Sequence, residues 1–333
     1  MKKFAVSLFL IAGGLFAGNL QAQVGLSKPE AIAKVKARTM LVIVEEPSEK
    51  LLSTIKPEEL ENYKKDIADY NAMMAELAPK IWTISPKIEF KTRAEVYKLV
   101  EAKDPGYAFM EYEKYRVQFA SAASYYATRR ACGFKDKLAG TNILGGDYIK
   151  SEFSIRLTDD KMYGLQIIGI PMPSPCPTSA DLVFAMKTIQ LHFKYKEEGL
   201  SEIKISQLFK TNAPQLKNMK LYVNKQDTEA TLEDIKKVYS HPIEMFEGRA
   251  EIDQAILNAT EGIAVCIMIP HSDQSYSFYV YKASDLSVLA YTNDSQSTGV
   301  SVGGIGMVDM ARDLTRNKMK RDHFKIFGKQ ADK

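Results

Sequence analysis

Apolar and polar positions along this chain fall into blocks whose period switches between two residues and about 3.6, and a similar order of blocks is met twice. The first series opens with Met40 to Val44, an apolar run bounded by Glu45 and Glu46, which predicts a strand. Pro57, Glu58 and Glu59 then look like a first helical turn. Leu60, Tyr63, Ile67, Tyr70, Met74, Leu77 and Ile81 follow at alternating steps of three and four. Such a stripe suits a coiled-coil seam or the inner face of a helix lying on a sheet, and the sheet is favoured because a sustained coiled coil needs three or four heptads with suitable flanking charge.

The second series opens with Met219 to Val223, after a polar region containing Pro214. Its helix is shorter, with Thr231 and Asp234 spaced as an N-terminal capping pair and Leu232, Ile235, Val238 and Tyr239 facing inward. The closest match comes next. Ile88, Glu89, Phe90 parallels Ile243, Glu244, Met245, and Arg93, Ala94, Glu95 parallels Arg249, Ala250, Glu251. Val96, Leu99 and Val100 then answer Ile252, Ala255 and Ile256 as one buried helix face. Gly106 and Gly262 each fall ten residues after the first of those, opening strands Tyr107 to Tyr112 and Ile263 to Ile269.

Two hairpins complete the parallel. Phe153, Ile155 and Leu157 alternate before Thr158, Asp159 and Asp160, with Tyr163 to Ile170 returning; Phe278 and Val280 alternate before Ser284 and Asp285, with Val288 to Tyr291 returning. Closing helices are expected near Ala180 to Phe193 and near Met307 to Asn317. The expectation is an α/β (or α+β) chain of two tandem similar modules, each a small sheet with helices packed on it. The first spans 35–200 with an insertion at 113–150, a linker covers 201–215, the second spans 216–325, and 326–333 forms a polar tail.

The N-terminus adds a destination. Met1, Lys2 and Lys3 precede an apolar stretch from Phe4 to Ala17, and Leu20 and Ala22 occupy the positions a signal peptidase reads. This pattern predicts a signal peptide over residues 1–22. The apolar run, holding Gly13 and Gly14, is too short for a transmembrane anchor. The leader resembles those of Gram-negative exported proteins, which implies a periplasmic or secreted product with no membrane span after cleavage. No cysteine lies near the cut to carry a lipid.

Formal charge is +4, and loss of Lys2 and Lys3 would leave +2, a near-neutral balance that argues against nucleic acid as the partner. Cys266 lies within the apolar run Ile263 to Ile269 and reads as a core thiol. Cys132 and Cys176 sit in loop-like surroundings, and an exported setting permits a disulfide between them.

Candidate chemistry is sparse. An arginine next to a carboxylate on one helix does not face it, so the two Arg-Ala-Glu triplets read as helix-start charge. The four histidines are scattered without metal-ligand spacing, and neither a metal nor a cofactor is expected. His271, Ser272 and Asp273 have nucleophile-triad types but are sequence neighbours, which rarely meet as a triad. Glycines 299, 303, 304 and 306 lack the lysine and spacing of a phosphate loop. Tyr115, Tyr125, Tyr126, Tyr276, Tyr279 and Tyr281, with Arg129 and Arg130 beside the first group, could stack a ligand, but an aromatic strand face suits ordinary sheet packing as well, and that is the favoured reading. The function expected is non-enzymatic: an exported binding or envelope-assembly protein that engages a protein or small ligand between its modules or on the 113–150 insertion. The alternative is a secreted hydrolase with catalytic residues dispersed in sequence.

Overall fold

The computed structural model describes residues 27–53, 57–120, 146–159, 165–270, 276–293 and 318–333. The leader, the His271 to Asp273 loop, the glycine-rich stretch and the helix expected near 307–317 lie outside the described residues. Among the described residues no helix is long and apolar enough to cross a membrane.

The first module begins with helix α1 (Pro29–Ala37) and strand β1 (Thr39–Val44), followed by helix α2 (Pro57–Ile81), strand β2 (Ile88–Thr92) and helix α3 (Arg93–Glu101). Strands β3 (Tyr107–Ala120), β4 (Gly146–Leu157) and β5 (Leu165–Pro171) lead into helix α4 (Ser179–Glu197). Short helices α5 (Glu202–Ser206) and α6 (Phe209–Asn212) link to β6 (Lys220–Asn224), α7 (Leu232–Lys236), β7 (Ile243–Phe246) and α8 (Ala250–Leu257). Strands β8 (Ile263–Pro270), β9 (Tyr276–Lys282) and β10 (Val288–Asn293) and helix α9 (Arg321–Ala331) complete the chain.

The two halves have one topology. The sheets run β2-β1-β3-β4-β5 and β7-β6-β8-β9-β10, each with its first strand parallel to both neighbours and the last two pairings antiparallel. Two α/β modules of the same design are therefore present. The likeness extends to a feature without a sequence signature: α3 and α8 are each followed by a non-glycine residue with positive φ, Lys103 (51°) and Ala259 (47°).

The copies differ from the expected alignment at their first strands. Met40 pairs with Ile88, and it is Leu221 that pairs with Ile243, so the counterpart of Met40 is Leu221 rather than Met219. A slip of two residues returns every side chain to the same face, so an apolar pattern cannot detect it.

The insertion expected at 113–150 is an extension of the β3–β4 hairpin: residues 115–150 stand where the second copy has only 271–275, and 115–120 and 146–150 continue both strands. Two further expectations are corrected. Residues 326–333 are not a polar tail: α9 takes in all but the last two of them, and Phe324, Phe327 and Ala331 bury one face while lysines occupy the other. The cleft expected between the modules is filled by α4. That helix buries Leu182, Val183, Phe184, Ala185, Met186 and Ile189 around its circumference, the mark of a helix enclosed on several sides. One apolar cluster runs from Met40 and Ile155 in the first sheet, through α4, to Val265, Ile267 and Tyr281 in the second. The modules repeat a topology yet share a core.

Candidate functional site

The longest helix among the described residues, α2, extends past the sheet it packs on, and a large cavity opens beneath this overhang. Tyr70, Met74, Leu77 and Ala78 on the C-terminal half of α2 are buried against the first sheet. The same stripe continues toward the N-terminus as Tyr63 and Ile67, which are only half buried and line a cavity of about 840 Å³. Its floor comes from the ends of β1 (Glu45, Glu46), the start of α3 (Arg93), the outer half of β3 (Tyr112, Glu113, Lys114) and Cys176 with Pro177. In open parallel sheets ligands enter at the carboxyl ends of the strands, where successive helices leave on opposite faces. Here α2 packs with the core on one face of β1 while α3 covers Leu41 and Ile43 on the other.

Hydrogen bonds set the mouth. Asn71 grips the backbone of Glu45 from both sides, its Nδ2 donating to the carbonyl and its Oδ1 accepting from the amide, both at 2.9 Å. Tyr63 accepts from the Ser48 amide at 2.9 Å. Inside, Tyr70 and Tyr112 stack with ring centroids 5.5 Å apart, and the Tyr112 hydroxyl donates to the Ser174 carbonyl. Burial pushes both phenols far up, so they stay neutral hydrogen-bonding groups.

Six carboxylates face this cavity, Glu45, Glu46, Asp66, Asp69, Glu76 and Glu113, against two cations, Arg93 and Lys114. Lys65 and Lys80 on the helix itself neutralise Asp69 and Glu76, Arg93 takes Glu45 at 2.6 Å, and Arg156 takes Glu113 at 2.7 Å. Glu46 and Asp66 make no ion pair among the described residues. Lys114 lies with its ammonium 5.8 Å from the centre of the Tyr112 ring; burial of its surroundings draws its pKa down, with Asp66 and Glu45 opposing. The cavity is thus an aromatic and acidic recess in which the chain's own cation already rests on a tyrosine face.

Behind the floor lies a charge network that the residue pattern did not reveal. Arg93 bonds Glu111, a side chain 1% exposed in mid-strand, as well as Glu45. Tyr97 donates to Glu111 at 2.8 Å and Arg156 approaches its other oxygen at 3.0 Å. Burial by itself lowers the Arg93 guanidinium, but Glu45 and Glu111 outweigh it and leave the charge locked in place; burial and then Glu111 push the Tyr97 phenol up to about 12. Arg93 and Arg249 are therefore not simple helix-start charge. Glu95 does cap its helix, returning a bond to the Thr92 amide at 2.8 Å, while each arginine reaches a buried acid elsewhere.

Among the described residues the second module lacks this network. Thr39 faces Tyr107 as Lys220 faces Ile263, which sets Glu111 against Ile267 and, through the next ladder, Ser154 and Arg156 against Tyr279 and Tyr281. Charge in one copy is exchanged for apolar and aromatic groups in the other, where α4 lies on them: Phe184 meets Tyr281 edge-on at 5.0 Å. Arg249 accordingly turns to Asp181 on α4.

The expected site residues divide accordingly. Tyr279 and Tyr281 are brought together, stacked 5.7 Å apart and buried in the shared core, as their sheet packing requires. Tyr115 lies on β3 opposite Lys150, beyond the residues whose side chains are described. Tyr125, Tyr126, Arg129, Arg130 and Cys132 lie outside the described residues. Cys176 is disulfide-bonded and Cys266 is a free, buried thiol. Among the described residues no three His, Cys, Asp or Glu side chains are placed to hold a metal ion. The residues that line the large cavity, Glu46, Asp66, Tyr70, Tyr112 and Lys114, were missed; the one available signal was the half-apolar overhang of the α2 stripe beyond the length a strand can cover. No protein-family model, curated protein or solved structure matches this chain.

Proposed function

We propose that this chain is an exported, non-enzymatic binding protein whose first module takes an organic cation in the cavity beneath α2. The observation that carries this reading is the lining: stacked tyrosines, two carboxylates with no ion pair among the described residues, and a lysine ammonium already lying over the Tyr112 ring. An ammonium group on an apolar stem would take the place of Lys114 on the ring and be met by Glu46 and Asp66. A volume of about 840 Å³ suits a small molecule or the side chains of a basic peptide.

The test uses the mature chain, titrated calorimetrically with spermidine and with a lysine dipeptide. Saturable binding is expected, weakened by added salt and reduced about fivefold by each of Glu46→Gln and Asp66→Asn, as loss of about 1 kcal/mol per charge contact implies. The reading is wrong if neither cation saturates, or if an acidic dipeptide binds equally well. Export is checked separately: N-terminal sequencing of protein recovered outside the cytoplasm should start at Gln23.

A further inference from the structure

A second, smaller cavity lies where the two modules meet. It measures about 80 Å³ and is enclosed by Thr188 and His192 on α4, Ile205 and Phe209 on α5 and α6, and Tyr279 and Tyr291 on the β9–β10 hairpin. Its walls are almost wholly apolar, yet buried polar atoms without a hydrogen-bond partner gather there. Neither ring nitrogen of His192 has a hydrogen-bond partner, nor has Thr188 Oγ1. His192 is only 4% exposed. Its Nε2 stands 3.8 Å from Glu202 Oε1, too far for a hydrogen bond. Lys196, 3.2 Å from the same oxygen, balances the Glu202 charge.

Native proteins seldom leave several buried polar atoms unpaired in one place, and such a cluster calls for a hydrogen-bonding occupant. We propose that this cavity is a second ligand site, which takes one small uncharged molecule with an apolar body and a single hydroxyl, of the size of a short-chain alkanol. A hydroxyl both donates and accepts, and so can serve His192 and Thr188 at once. Burial holds the imidazole neutral, with its pKa down at about 4, leaving one nitrogen to accept and the other to donate. An ionic ligand would be stripped of water against the apolar wall, where the one nearby ion pair is already balanced. The space is several times the roughly 10–15 Å³ that one buried water needs, which sets the size at a few non-hydrogen atoms. Helices α5 and α6 bury no residue of their own, so this wall yields more easily than the rest when the alkyl chain lengthens. The site is independent of the acidic cavity under α2.

The experiment is an NMR titration of the mature chain with n-propanol, following the His192 ring protons, assigned by loss of their signals in His192→Gln. A saturable shift is expected, with affinity about five- to tenfold weaker in the near-isosteric Thr188→Val, as loss of one hydrogen bond implies. Leu191 also lines the cavity, and Leu191→Phe, which fills it, should abolish the shift while spermidine binding is retained. A shift that grows linearly with alcohol, an equal response in Thr188→Val, or xenon binding as well as propanol would overturn the proposal; the first would mean that water alone fills the cavity.

Discussion

Arg249 at the start of α8 holds Asp181 in the first turn of α4 at 2.7 Å, and the Asp181 side chain is 1% exposed. One module thereby grips a charge buried in the other. The same carboxylate closes the N-terminal capping box of α4 on the Thr178 amide. Arg249→Met would strand that charge, at a cost of about 3–5 kcal/mol. Adding Asp181→Asn should recover part of the loss, since the amide is neutral. Urea denaturation of the single and double variants reads this. Because the core is continuous through α4, each protein should unfold in one transition; two separated transitions would contradict the shared core.

Acid should destabilise the fold through two buried histidines. Burial, then Lys196, holds His192 at about 4; burial, then Lys320, holds His323 at about 4. His323 Nδ1 accepts the Lys320 amide at 2.9 Å, a bond that needs this nitrogen unprotonated. An unfolded chain takes up these protons near 6.5, the folded one only near 4. Their contribution is thus complete above about pH 6.5 and is lost as pH falls toward 4, by up to about 3 kcal/mol per ring. His323→Gln should flatten the decline in urea midpoint between pH 7 and pH 4.5, and an unchanged slope would exclude His323 as a cause.

Lys103 and Ala259 adopt left-handed backbone conformations just past α3 and α8. A Cβ is strained there and glycine is not, although glycine loses more freedom on folding. Lys103→Gly and Ala259→Gly should each raise stability by about 0.5–1 kcal/mol, additively, because they lie in different modules. Thermal unfolding of the pair of variants provides the comparison.

The cysteines should behave unequally toward thiol reagents. Burial, then Asp227, pushes the Cys266 thiol far up, and its Sγ lies 3.3 Å from Met319 Sδ. A disulfide-exchange reagent should leave it untouched in the native protein and modify it on denaturation. Cys176 is bonded, and Cys132 is its expected partner. A digest without reductant should yield these two peptides joined, and a free Cys132 would refute the pairing.

Period and spacing were enough to reveal a repeated α/β design in this chain, because burying one face of a strand or helix leaves a local trace, as in Ile88 to Phe90 against Ile243 to Met245. Thr231 with Asp234 was legible for the same reason, a cap being a bond between near neighbours. The register of β6 was not, since a two-residue slip preserves faces. Nor was the sharing of α4 by two sheets, because its apolar residues are consistent with one partner or several. The acidic cavity joins Glu46, Asp66, Tyr112 and Lys114 from three separate elements. Charge pairing acts through space and carries no period along the chain, so which acids meet which arginines was decided only when the sheets and α2 came together.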